Sequence, residues 1–189
     1  MGRAGTFVAV VGPSGAGKDS LIRHAQSAFA SNDRLMFVRR TVTRQADPGA
    51  EDHDSMSAGD FDAAEAAGAF AATWRAHGLA YGIPVAALDH VQQGGIAIAN
   101  CSRGALPAIR EKFGELVVIH VTAPPEVLAK RIAARGREPA AEIEARVRRE
   151  ASGLEQIGNV VTIDNGGELE LAAARFNDCL MRLAEYSRP

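Results

Sequence analysis

The sequence predicts one α/β domain built on a parallel sheet with helices on both faces. Short apolar runs rich in β-branched residues, typical of strands buried on both sides, alternate with helical stretches. The chain has 189 residues, enough for one domain with a substantial core, and its 47% hydrophobic content is that of a globular protein. We find no repeat or low-complexity linker that would divide it.

The N-terminal elements follow directly from the pattern. The first strand is Phe7–Val11, because every residue in it is apolar. A helix is predicted over Ser20–Ala30, and a short strand over Leu35–Val38. Residues 45–57 are polar and contain a turn signal, so we expect a loop there.

The next segment has the pattern of an insertion. Ser57 is expected to cap a helix that runs to about Ala67. A strand over Phe70–Arg75 and a turn at His77-Gly78 follow. We therefore predict that residues 35–84 lie outside the core.

The rest of the chain returns to the alternating pattern. Helices are predicted over Val85–Gln93, Leu106–Phe113, Pro124–Arg135, Ala140–Gln156 and Glu168–Tyr186, and strands over Ile96–Asn100, Leu116–Val121 and Asn159–Ile163. The predicted division is a core of residues 1–34, 85–123 and 151–189, the insertion 35–84, and a lid, 124–150.

A glycine-rich stretch joins the first strand to the first helix. It consists of Gly12, Pro13, Ser14, Gly15, Ala16, Gly17, Lys18, Asp19 and Ser20. Glycines let successive backbone N–H groups face a phosphate, and a helix N-terminus adds its dipole. This strand–loop–lysine–helix context predicts a phosphate loop that binds a nucleoside triphosphate, with Lys18 at the β- and γ-phosphates.

One position of this stretch departs from the usual pattern. Asp19 follows the lysine, where a Ser or Thr normally holds Mg²⁺. A carboxylate is also a hard oxygen ligand, so Asp19 is a candidate Mg²⁺ ligand. Ser20 is the other candidate, although it is turned by about 100° along the helix.

Clustered arginines indicate where further phosphates bind. If residues 38–44 are extended, Arg40 and Arg44 share a face and can hold a phosphoryl group; the alternative is a solvated basic edge. Arg131 and Arg135 share a helical face. We expect these two, with Arg146, to neutralise the transferred group, although nearby glutamates leave open an exposed helix pair with balanced charges.

Other residue types exclude several classes of site. The five histidines show no metal-ligand spacing, and we expect His120 and Trp74 to belong to the core and Tyr81 to contact substrate. Cys101 and Cys179 are too few for a disulfide framework, which favours ordinary thiols. The net charge of −2 suggests neither a nucleic-acid nor a membrane partner, and without a targeting pattern we expect a cytoplasmic protein.

Several motifs together resemble the guanylate-kinase-like branch of P-loop kinases. They are Gly12–Lys18, Thr41-Val42-Thr43-Arg44, His77-Gly78 with Tyr81-Gly82, and Arg135-Gly136. The resemblance implies a three-layer P-loop NTPase fold with a substrate-binding insertion and a lid. It also implies that Thr43, Arg44 and Tyr81 bind the phosphate of the acceptor and that Asn165 contacts adenine.

The departures from guanylate kinases argue against guanosine monophosphate as the acceptor. Ala72 falls where those enzymes read guanine with a glutamate, and Ala99 and Cys101 fall near two further acids. Asp47 replaces a phosphate-binding arginine, and His53 lies near a loop tyrosine. A buried guanine would leave its N–H donors unpaired against Ala72, which is unfavourable.

A narrower resemblance accounts for these departures. The segments Gly17–Ser20, Ala76–Leu79 and Asn100–Arg103 resemble the ribose 1,5-bisphosphate phosphokinases of phosphonate breakdown. That resemblance implies a reaction in which ATP and α-D-ribose 1,5-bisphosphate give 5-phospho-α-D-ribose 1-diphosphate (PRPP) and ADP. The residues expected to bind the acceptor are then Arg40, Thr43, Arg44, Tyr81, Ser102 and Arg103.

Two other functions remain open at this stage. One is a guanylate kinase or another nucleoside monophosphate kinase, and the other is a non-catalytic guanylate-kinase-like binding module. For the oligomeric state we expect a homodimer.

Overall fold

The computed structural model describes residues 5–44, 53–134 and 158–186. Its strands are β1 (Thr6–Val11), β2 (Leu35–Phe37), β3 (Arg40–Val42), β4 (His53–Ser55), β5 (Phe70–Ala76), β6 (Leu79–Pro84), β7 (Ile96–Asn100), β8 (Leu116–Thr122) and β9 (Val160–Asp164). Its helices are α1 (Lys18–Ala28), α2 (Ala58–Ala66), α3 (Val85–Gln92), α4 (Leu106–Phe113), α5 (Pro125–Ala133) and α6 (Leu169–Tyr186), with a short 3-10 turn at Arg103–Ala105.

The core sheet of the described residues is parallel throughout. Its five strands lie in the order β2-β7-β1-β8-β9, and each neighbouring pair is parallel. Parallel neighbours need crossover connections, which here contain helices that cover the faces of the sheet. The predicted α/β class is therefore confirmed.

Two hydrophobic layers hold the helices on this sheet. Side chains of β1 alternate between them, because successive strand residues face opposite sides. Phe7 packs in the layer under α3 and α4, with Ile109 fully buried beside it. Val8 packs in the layer under α1 and α6, where Phe176 is fully buried. The carboxyl ends of β1, β7 and β8 consequently open at one edge, where open α/β sheets bind ligands.

A second sheet carries the other predicted site residues. Its four strands lie in the order β4-β3-β6-β5, with β6 antiparallel to both β3 and β5. The turn between β5 and β6 uses His77 at φ 52° and Gly78 at φ 74°, as a tight hairpin turn requires. Trp74 and Ile83 of this hairpin are buried in the same layer as Cys101, which fastens the second sheet to the core.

The segment after β4 contains the predicted helix cap. The backbone N–H of Asp60 donates to Ser57 Oγ at 3.1 Å, so Ser57 caps α2 as predicted. This interaction satisfies one of the donors that a helix N-terminus leaves without a backbone partner.

Three local predictions differ from the structure. Strand β4 lies inside the predicted polar loop 45–57, because its backbone pairs with β3 while the sequence His53-Asp54-Ser55 carries no apolar alternation. Helix α1 begins at Lys18 instead of Ser20, since the N–H of Leu21 already bonds to the carbonyl of Gly17. Leu35–Phe37, predicted to lie in the insertion, is instead a strand of the core sheet, because its backbone pairs with β7.

Other predictions about the organisation of the chain stay predictions. Apart from Leu35–Phe37, the division into core 1–34, 85–123 and 151–189, insertion 35–84 and lid 124–150 stays a prediction. The helix predicted over Ala140–Gln156 lies outside the described residues, as does the end of the helix predicted to reach Arg135. Within the described ranges, none of the helices has the length and apolar character needed to cross a membrane.

Candidate active site

The glycine-rich loop is closed tightly over the end of β1. Gly12, Gly15 and Gly17 have φ values of 148°, 82° and 86°, in the region that strongly favours glycine. A Cβ on Gly12 would lie only 2.1 Å from the carbonyl oxygen of Val121 in β8. Side chains larger than hydrogen are therefore excluded at the points where the loop turns, which leaves its backbone available to a phosphate.

Asn165 supports the loop from the end of β9. Its Nδ2 donates to the carbonyl oxygen of Ala16 at 2.7 Å, and its own backbone N–H donates to Thr122. A Cβ on Gly17 would lie 2.3 Å from this Nδ2. Asn165 is 2% exposed, and its Oδ1 is buried without a partner among the described residues. The predicted contact of Asn165 with adenine stays a prediction.

Lys18 is folded back over the same loop. Its Nζ donates to the carbonyl oxygens of Gly12 at 2.8 Å and Pro13 at 3.1 Å. The N–H of Ala16 also bonds to Pro13, which closes the turn. The ammonium group is thereby held beside the loop that the sequence predicts to bind phosphates.

Asp19 is oriented by a residue of the neighbouring strand. Asn100, at the end of β7, donates from Nδ2 to Asp19 Oδ1 at 2.7 Å. Ser20 follows on the same helix and is partly exposed. Across the ranges 5–44, 53–134 and 158–186, no cluster of three His, Cys, Asp or Glu side chains could hold a metal by itself.

Of the three arginines predicted to act from the lid, Arg131 lies among the described residues. One of its terminal nitrogens donates to the carbonyl oxygen of Gly15 at 3.4 Å. Helix α5 brings it there because Ile132 and the carbonyl of Leu128 pack against Gly15. Arg135 and Arg146 lie outside the described residues.

Arg40 is a buried cation on the second sheet. It is 5% exposed, and its guanidinium carbon lies 5.5 Å from the ring centroid of Tyr81 and 5.8 Å from that of Trp74. Burial lowers the pKa of Arg40, while the nearby Cys101 and Asp19 oppose the shift. An arginine stays protonated in proteins, so this site holds a fixed positive charge.

Thr43 and Arg44 continue this side of the site. The hydroxyl oxygen of Thr43 accepts from the N–H of Ala80 at 2.8 Å, and its N–H donates to the carbonyl of Ala80. Thr43 therefore fixes the position of the hairpin. Arg44 contributes a like charge that lowers the pKa of Arg40, after the larger effects of burial and nearby groups. The phosphate-binding role predicted for Arg40 and Arg44 stays a prediction.

Residues after β7 bring further polar groups to the same edge. The carbonyl of Ser102 accepts from Ala105, which starts the 3-10 turn that carries Arg103. Burial raises the pKa of the Cys101 thiol to about 12, against the opposing charge of Arg40, so this thiol stays protonated. The substrate-binding roles predicted for Ser102 and Arg103 stay predictions.

Sequence reasoning missed His120. The sequence predicts this residue in the core, but its side chain is only half-buried. Burial lowers the pKa of His120, and the positive charges of Arg103 and Lys18 lower it further. It therefore lies near the cations of the site. Its position at the end of β8, register-paired with Val11 just before the glycine-rich loop, is the signal that would have indicated this. Trp74, by contrast, is buried as predicted.

Comparison with known proteins gives close relatives. No model of a protein family matches the sequence. The chain is 47% identical over 180 residues to "Ribose 1,5-bisphosphate phosphokinase PhnN" of Brucella melitensis, covering 95% of this chain and 94% of that protein. It is 42% identical over 186 residues to the protein of the same name from Chelativorans sp., covering 98% and 89%.

A solved structure supports the fold. The guanylate kinase of Anaplasma phagocytophilum superposes with a TM-score of 0.66 at 19% identity, covering 96% of this chain and 87% of that one. At that identity the likeness concerns the fold alone. It confirms the predicted guanylate-kinase-like fold.

We expect His120 to make stability depend on pH. Because its pKa is lowered in the folded state, unfolded chains bind more protons, and stability should decrease as the pH falls from about 7.5 through the usual histidine pKa of about 6.5 and below. Urea unfolding at several pH values should show a weaker decrease for His120→Gln. His24→Gln, at an exposed helix position, is the matched control. An equal pH dependence in wild type and His120→Gln would contradict the assignment.

Proposed function

The chain belongs to the ribose 1,5-bisphosphate phosphokinase family, and we propose that it transfers the γ-phosphoryl group of ATP to α-D-ribose 1,5-bisphosphate. The products are PRPP and ADP. Relatives of that name are 42–48% identical over more than nine-tenths of this chain. The resemblance to the enzymes of phosphonate breakdown extends the proposal to that pathway.

The observation that carries the acceptor assignment is the chemistry of the inner face of the second sheet. Arg40 places a buried positive charge there, beside Tyr81. Ala72 occupies the position at which guanylate kinases read guanine, and it is 7% exposed. A guanine at this position would bury N–H donors against a methyl group, and each unpaired group costs about 1–3 kcal/mol. An acceptor with phosphates and no base has no such donors.

The proposed reaction needs positioning more than proton transfer. Lys18 and the amides of the glycine-rich loop bind the phosphates of ATP, and Arg131 offsets charge on the transferred group. An oxygen of the acceptor's 1-phosphate attacks the γ-phosphorus, and the bond from that phosphorus to the bridging oxygen breaks as ADP leaves with the electron pair. The attacking oxygen is already anionic, so a strong general base is not required.

Asp19 and Ser20 fit the role of magnesium ligands. Mg²⁺ prefers oxygen donors, and it is usually held by one or two protein side chains together with phosphates and water. Asp19 supplies a carboxylate that Asn100 holds at the start of α1. A bound Mg²⁺ would neutralise charge on the phosphates of ATP. Both side chains stay candidate ligands of Mg²⁺. Arg135 and Arg146 are proposed as further catalytic residues.

The remaining proposals concern the setting of the enzyme. The substrates proposed are small soluble molecules, so we propose an enzyme of the cytoplasm that needs no nucleic-acid or membrane partner. The formal net charge of −2 is consistent with this. A homodimer stays a prediction.

The acceptor assignment is tested by coupled ADP release. We expect ribose 1,5-bisphosphate to support turnover with a kcat/KM at least about 100-fold above that of guanosine monophosphate, because guanine would leave donors unpaired. Ala72→Glu should lower kcat/KM for the bisphosphate, since its carboxylate would repel phosphates, whereas Ala72→Gln controls for size. Turnover of the nucleotide that equals or exceeds that of the sugar would contradict the proposal.

The metal assignment has its own test. Asp19→Asn should weaken Mn²⁺ binding in the presence of ADP by at least about tenfold, because the carboxylate charge is lost. Electron paramagnetic resonance of free Mn²⁺ measures this without turnover. Ser20→Ala is the matched variant at the other candidate. Unchanged Mn²⁺ affinity in Asp19→Asn would exclude Asp19 as a ligand.

A further inference from the structure

Trp74 carries a buried hydrogen-bond donor with no partner. Its side chain is 8% exposed, and its Nε1 is buried without a hydrogen-bond partner among the described residues. An indole N–H can donate but not accept. Buried polar groups in folded proteins are nearly always paired, so each exception calls for an explanation.

The surroundings of Trp74 are those of the acceptor side of the site. Trp74 pairs with Tyr81 across β5 and β6, and Tyr81 pairs with Val42 of β3, so the three share one sheet face. The rings of Trp74 and Tyr81 are stacked at 5.2 Å with an interplanar angle of 4°. The guanidinium carbon of Arg40 lies 5.8 Å from the Trp74 ring centroid.

A second donor near this cluster also lacks a partner. The Nε of Arg44 is buried without a hydrogen bond among the described residues, and Arg44 interacts electrostatically with Arg40. This region thus combines two unpartnered N–H donors with a buried cation. None of these three groups can accept a hydrogen bond. The complementary ligand is therefore an anion rich in acceptor oxygens, and a phosphate has both properties.

A purely structural role does not account for the indole. Stacking on Tyr81 and filling the core require only an aromatic ring, and the chain already uses a stacked phenylalanine pair, Phe61 and Phe70, under the same sheet. An aromatic ring of the same shape without the N–H would make the same contacts without burying an unpaired donor. The N–H is therefore the feature that needs a function.

We propose that Trp74 determines acceptor specificity by donating its Nε1–H to a phosphate oxygen of the acceptor, beside Arg40 and Arg44. This inference rests on the proposed function, because it deepens the recognition of a phosphorylated sugar. The donor is covered in the present structure, so neighbouring side chains must shift when the acceptor binds. Nothing in this arrangement recognises ATP, so the effect should be confined to the acceptor.

The indole can be observed directly, because the chain contains one tryptophan. In a protein labelled with ¹⁵N, a single indole N–H signal is expected. Ribose 1,5-bisphosphate should move this signal downfield and slow its exchange with water, since the proton enters a hydrogen bond to a charged oxygen. ADP alone should leave it nearly unchanged. An indole signal that does not move at saturating acceptor would overturn the proposal.

An isosteric replacement separates the N–H from the ring. At position 74, 3-benzothienylalanine keeps the shape of tryptophan and replaces the N–H by sulfur. The KM for ribose 1,5-bisphosphate should rise by about 10- to 100-fold, the usual effect of losing a hydrogen bond to a charged group. The KM for ATP and the melting temperature should change little. Trp74→Phe should also raise the KM for the acceptor, but its smaller ring should lower the melting temperature as well, so the isostere is the decisive variant. An unchanged KM for the acceptor in the isostere would refute the inference.

The two levels of the proposal can fail separately. If the wild-type protein does not phosphorylate ribose 1,5-bisphosphate, the proposed function fails. Titration of the indole signal with inorganic phosphate and ribose 5-phosphate then still tests Trp74. A downfield shift with these anions supports a phosphate-binding role, and no shift with any phosphorylated compound overturns it.

Discussion

The burial of a permanent positive charge on the second sheet constrains the whole acceptor side of the site. Arg40 is 5% exposed, and burial lowers its pKa, yet a guanidinium remains charged. Taking a charge out of water is unfavourable unless other groups compensate. Tyr81 and Trp74 offer the faces of their rings, and the carboxylate of Asp19 lies close enough to interact with the charge. The Cys101 thiol, which stays protonated, adds no charge. This surrounding favours an anionic ligand and gives a purine base no carboxylate at position 72.

The conformation of the glycine-rich loop is held by groups that are distant in sequence. Gly12 turns against the carbonyl of Val121, and Gly17 lies against the amide of Asn165. Arg131 reaches the carbonyl of Gly15 from α5, and Asn100 orients Asp19 from β7. The carboxyl ends of β1, β7, β8 and the segment after β9 thus all contact one loop. Parallel strands make this possible, because their carboxyl ends meet at one edge.

The sequence predicted the parts of the structure that local patterns determine. The buried strand β1, the cap at Ser57 and the glycine-rich loop each follow from residue types that allow one local structure. It did not predict β4, whose residues are polar and which forms only because β3 supplies a partner. It also placed His120 in the core, since an isolated histidine in an apolar strand gives no sign that Lys18 and Arg103 approach it through space. Likewise, the unpaired N–H of Trp74 becomes visible only when its neighbours are known.

The central claim is that the acceptor binds through its negative charge at Arg40. The most direct test is thermal and urea unfolding of wild type and Arg40→Met with ribose 1,5-bisphosphate or with ADP. At about 100 times its Kd, a ligand should stabilise the wild type by about 2.7 kcal/mol. We expect Arg40→Met to lose the stabilisation by the sugar bisphosphate and to keep that by ADP. Full stabilisation of Arg40→Met by the sugar bisphosphate would contradict the account.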